Sequence, residues 1–204
     1  MVAVNTALAQ MVCTRICHDL GGPAGALSGA LELVEGVQDD AMEVARDAAR
    51  IIDRRIRFFR AAIGGGGGDC RIGDLAQAAE GLTLGRRATT DLTALPAGIL
   101  VPAALSQVLL LAMWTAIDSL PKGGAVRLGG DARLGISVWP DGPAAAWPVS
   151  LASALAGDEV PLTARGLAVP LLVAVAKQNG VRLDLLLGGA TGPAPLLLTG
   201  TKHS

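Results

Sequence analysis

In the first 63 residues, apolar side chains recur in steps of three and four, twice, with only a few residues between the two runs. Leu8, Met11/Val12, Ile16, Leu20, Ala24, Leu27, Leu31 and Val34 mark one face of a helix over about residues 5–35. Ala41, Val44/Ala45, Ala48, Ile52, Ile56, Phe59 and Ile63 mark one face of another. Gly36 suits the C-terminal end of the first helix, and Asp39 or Asp40 suits the N-cap of the second. Helices joined by so short a connection fold back as an antiparallel hairpin. A hairpin cannot bury such stripes by itself, and a second copy about a two-fold axis completes a four-helix bundle. A homodimer is therefore expected.

The run Gly64 to Gly68 divides the chain, because every glycine in a helix gives up more backbone freedom than any other residue. It lacks the Lys and Ser/Thr that follow the glycines of a phosphate loop, so it reads as a linker. Beyond it, residues 88–93, 124–130, 133–139, 181–187 and 195–201 have the texture of strands. Helices are expected over 101–120, stopped by Pro121, and over 167–178, where Pro170 fits only in the first turn. The predicted class is α+β: a helical hairpin over 1–63, a linker over 64–68 and an α/β sandwich over 69–204, with helices on one sheet face.

Half the chain is apolar (51%), enough for a substantial core, and a net charge of −1 gives no broad footprint for nucleic acid. The first residues lack a signal peptide's basic start and apolar run, and no apolar stretch is charge-free over a membrane-spanning length, so a cytoplasmic location is expected. Cys13, Cys17 and Cys70 have no disulfide spacing. Cys13 and Cys17 lack further ligands for a metal and read as small packing residues.

His18 is the only histidine outside the last two residues. On the first helix it shares a face with Thr14, Arg15, Gly21, Gly22, Gly25 and Gly29, turned away from Ile16, Leu20 and Ala24. Each glycine costs a helix about 1 kcal/mol relative to alanine. A track of them on one face clears a path for another protein to come close. Imidazole is a nucleophile near neutral pH, and a phosphoryl on one of its nitrogens is labile enough to be passed on. Asp19 could hold the proton of the other nitrogen. The alternative is a solvated histidine beside an Arg15 to Asp19 helix pair, and spacing alone leaves both open.

HDLGGP, residues 18–23, resembles the H-[ED]-L-x-x-P phosphoacceptor box of histidine kinases. RICHDLGGPAGA with the following GALELVEG is similar to the alphaproteobacterial histidine phosphotransferases of the ChpT type, closely over the hairpin and more loosely beyond it. The resemblance implies that His18 is the phosphoacceptor, Asp19 its acidic neighbour and Pro23 the box proline that bends the helix. Gly22 departs from the small hydroxyl or amide residue usual four positions after the histidine. The second part resembles a kinase ATPase domain with its nucleotide motifs lost. Thr115 stands where the metal-binding Asn belongs, Pro140 to Ala144 lack the acid that reads adenine, and residues 163–169 keep one glycine of the second glycine box.

The function so implied is a relay between receiver-domain aspartates through His18, without ATP and with no cofactor of its own, Mg²⁺ belonging to the receiver. The implied partners are a second copy, the receiver of a hybrid histidine kinase and response regulators, with no membrane and no direct nucleic-acid contact. The rival readings are an active sensor-type kinase and a non-catalytic dimeric adaptor. Docking is expected along Arg15, Gly22, Gly25, Ala26, Gly29 and Glu32. With equal rise on both helices, His18 is level with roughly residue 57. Arg54 or Arg57 is therefore expected beside it, the competing reading being a surface pair such as Asp53 with Arg57.

Overall fold

The computed structural model describes residues 6–33, 39–64, 68–96, 98–131, 134–186 and 192–200. Gly36 and the middle of the glycine run lie outside them. The two periodic runs form helices α1 (Thr6–Leu33) and α2 (Asp39–Ala62), packed as a hairpin. Next come β1 (Cys70–Arg71), α3 (Ile72–Thr83), β2 (Ala88–Asp91), β3 (Leu100–Val101) and α4 (Ala103–Asp118). The chain continues through β4 (Gly124–Asp131), β5 (Gly135–Asp141), α5 (Val149–Ala156), α6 (Ala168–Gln178), β6 (Val181–Leu185) and β7 (Leu196–Gly200).

Strands β2, β4, β5, β7 and β6 lie side by side in that order. Only β2 and β4 pair in parallel, as their connection through α4 allows, and the others pair antiparallel. One sheet face carries Val126, Leu128, Ile136, Val138, Leu196 and Leu198 into the core, and alternate residues such as Arg127 face outward. Helix α4 lies between this face and α2 and α3, so its apolar residues run all around it. Each of the five expected strands is present, and Pro170 sits in the first turn of α6.

Helices α3 and α5 and the small β1–β3 pair had no place in the sequence reading. The expectation that the hairpin keeps its stripes for a bundle also needs correction. Phe58, Phe59 and Ala62 belong to the core of the α/β part, and Leu8, Met11, Val12, Ile16 and Ile63 pack against it. Phe58 and Phe59 both meet Trp114 of α4 edge to face, with ring centroids 5.7 Å apart. Gly81 of α3 lets that helix close on α2, since a Cβ there would run into the main-chain oxygen of Arg54 and the Cβ of Phe58. Among the described residues, no helix is long and apolar enough to cross a membrane.

Candidate functional site

His18 stands on α1 with its side chain 75% exposed. Its Nδ1 lies 3.1 Å from Oδ1 of Asp19. Burial works against the charged form of the Asp19 carboxyl. The Arg15 hydrogen bond and charge, the His18 hydrogen bond and the charge of Arg86 outweigh it, and hold its pKa below the ordinary value. An ionised carboxylate can only accept, so the tautomer of the neutral ring that fits this contact carries its proton on Nδ1, donated to Asp19, and its lone pair on Nε2.

Arg15 was expected on the outward face with His18, among the docking residues. It is buried instead, on the side of α1 that meets the α/β part. Its Nε donates to Asp19 at 2.9 Å, Nη2 to both carboxylate oxygens of Asp118 at 3.1 and 3.2 Å, and Nη1 to the carbonyls of Ala164 and Arg165. The guanidinium also lies 5.1 Å from the Trp114 ring centre. Arg15 is thus fully used in joining α1 to α4 and to the segment before α6. A burial of this kind is tolerable because every N–H group finds an acceptor.

A cleft of about 490 Å³ opens beside these groups, lined by Arg15, His18, Asp19, Arg86, Asp118, Ala164 and Arg165. Arg86 donates to Asp118 at 3.2 Å and stands 3.9 Å from Asp19. Arg165 is exposed and has no ion-pair partner among the described residues. Arg55 of α2 donates to the main-chain oxygen of Asp19. Burial first, then repulsion from Arg86, lowers the pKa of Arg55 against the attraction of Asp19. Guanidiniums therefore outnumber carboxylates around the imidazole, an arrangement suited to added negative charge.

Arg54 and Arg57, expected beside His18, are engaged elsewhere: Arg54 with Glu80 of α3 at 3.3 Å and Arg57 with Asp53 at 2.9 Å. Equal rise fixes the level to within a turn but not which residue of that turn faces α1, and Arg55 is the one that does. Arg86, Asp118 and Arg165 come from elements distant in sequence, and no local pattern marks them. Gly22, Gly25 and Gly29 face open space, with nothing within 4 Å of where a Cβ would stand, and Ala26 and Glu32 are exposed beside them. Cys13 and Cys17 are exposed rather than packed in a core. Among the described residues, no group of three or more His, Cys, Asp or Glu side chains could hold a metal ion.

A family model described as "Histidine phosphotransferase C-terminal domain" matches residues 72–191, more than half of the chain. "Protein phosphotransferase ChpT" of Brucella abortus (strain 2308) is 34% identical over 141 residues, covering 64% of this chain and 66% of that protein. The chain thus spans slightly less than two thirds of that relative's length. A solved structure, "1.7 Angstrom Structure of a Bacterial Phosphotransferase", superposes with a TM-score of 0.73 at 26% identity, covering 97% of this chain and 98% of the other.

Proposed function

The chain belongs to the histidine phosphotransferase family, and from that premise we propose that it relays a phosphoryl group between receiver-domain aspartates through His18. The observation that carries this reading is the exposed imidazole whose Nδ1 is held by Asp19, leaving Nε2 bare above a glycine-lined helix face. Nε2 attacks the phosphorus of a receiver's aspartyl phosphate. The N–P bond forms as the P–O bond breaks, and the receiver carboxylate leaves with the electron pair. The ring becomes cationic while Nδ1 keeps its proton, and the ionised Asp19 stabilises it. Arg86 and Arg165 line the cleft beside the imidazole, where they offset the charge of the phosphoryl. The second receiver's aspartate then attacks the same phosphorus, and the steps run in reverse.

In this reading residues 1–63 supply the phosphoacceptor and the docking face, including Gly22, Gly25, Ala26, Gly29 and Glu32, and residues 69–204 wall one side of the site. The nucleotide chemistry of histidine-kinase ATPase domains has no support in these residues. Thr115 is fully buried and gives its hydroxyl to the carbonyl of Leu111, and the stretch in the place of the second glycine box is bound to Arg15 through Ala164 and Arg165. The expected dimer draws support from Leu31, Val44 and Ile56, which the single chain leaves exposed on the hairpin.

The test is incubation with an independently phosphorylated receiver. The wild-type chain acquires an acid-labile label, and His18→Gln acquires none while keeping its melting temperature. Labelling of His18→Gln, or an unlabelled wild type, overturns the proposal, and label taken from ATP alone favours a kinase.

A further inference from the structure

Each carbonyl inside an α-helix accepts from the N–H four residues on, and proline has no N–H to give. In α1 this pairing joins Asp19 to Pro23. The carbonyl next to the phosphoacceptor therefore lacks its helical donor, and the proline ring crowds it outward. Arg55 of α2 reaches that oxygen through Nη1. The guanidinium has no carboxylate in ion-pair range among the described residues, unlike Arg15, Arg54, Arg57 and Arg86. A half-buried arginine is thus kept beside two other guanidiniums, where its charge is disfavoured, to satisfy one main-chain oxygen. The same residue turn carries the Asp19 carboxylate that holds the imidazole.

We propose that Arg55 is a positioning residue for phosphoryl transfer: it takes the carbonyl that Pro23 leaves open and so fixes the turn of α1 on which His18 and Asp19 stand. The inference rests on the reading of His18 as phosphoacceptor. It makes Pro23 and Arg55 a coupled pair. The proline opens the acceptor, and the arginine fills it from the neighbouring helix, which sets the line along which Nε2 meets the incoming phosphorus.

A double-mutant cycle decides it, because Pro23→Ala returns an N–H to the Asp19 carbonyl and should make Arg55 dispensable. With a phosphorylated receiver as donor, Arg55→Met is expected to lower kcat for acceptance about tenfold with KM within about twofold. The same change in a Pro23→Ala chain should cost less than about twofold, and Arg55→Lys, which keeps a donor, should recover part of the loss. Equal losses in the two backgrounds, or a loss confined to KM, overturn the proposal. The cycle is also read on melting temperature, so an inactive Pro23→Ala chain still gives an answer: a smaller shift in its background supports the coupling, and additive shifts refute it. A wild-type chain that accepts no phosphoryl refutes the relay reading itself, and the melting cycle then stands alone as the test of the Pro23–Arg55 pairing.

Discussion

The two ends of the helical hairpin are built from similar residues but meet different surroundings. At the end away from the turn, Phe58, Phe59 and Ala62 are buried in the core of the α/β part, and Leu8, Met11, Val12 and Ile16 pack against it. Toward the turn, Ala30, Ala41, Ala45 and Ala48 are buried between the helices, while Leu31, Leu33 and Val44 are more than half exposed. Apolar periodicity thus marks which residues seek cover without saying what covers them. The first end finds its cover within the chain. The second has small residues to bring its helices together and larger ones left over, the surface that the proposed second copy would cover.

The largest effect should come from the covered end. Phe58→Ala opens a cavity against Phe59 and Trp114 and is expected to cost about 4 kcal/mol, measured by denaturant unfolding of the intact chain. A loss below about 1 kcal/mol would mean that the hairpin and the α/β part hold each other only weakly. At the uncovered end, Leu31→Glu should leave the dilute monomer within about 0.5 kcal/mol of wild type and abolish self-association in light scattering. A dimer that persists would move the contact away from this end. The smallest effect belongs to the face that neither end uses. Gly25→Leu should stabilise the chain by about 0.8 kcal/mol through helix propensity while slowing transfer from a phosphorylated receiver. A lower melting temperature with transfer undiminished would mean that the open space at Gly25 is filled by helix packing in the assembled protein.

The long helices, the expected strands and the position of His18 were legible because each rests on a period or a box within one short stretch. Helix α3 was not: Gly73 and Gly81 interrupt its pattern, and Gly81 is there for the approach of α2, a partner outside its own window. Helix α5 has only eight residues, too few to establish a period. Arg15 shows the limit most clearly. A helical wheel places it near His18, yet the α/β part covers that edge of α1, and no wheel contains the carboxylate of Asp118. The level of Arg55 could be reckoned from rise per residue, but its face could not.

The close approach at Gly81 also bears on how the proposed relay presents its imidazole. With α3 seated on the main chain of α2 and Arg15 bound to both sides of the junction, the described residues of the hairpin are held against the α/β part by close packing and by a buried guanidinium. In the proposed relay the imidazole then meets every visitor in one setting. Because such a relay takes no energy input, its net flux is set by the receivers' phosphoryl-transfer potentials and by their charged-to-uncharged ratios, and a large enough change in those ratios reverses the traffic.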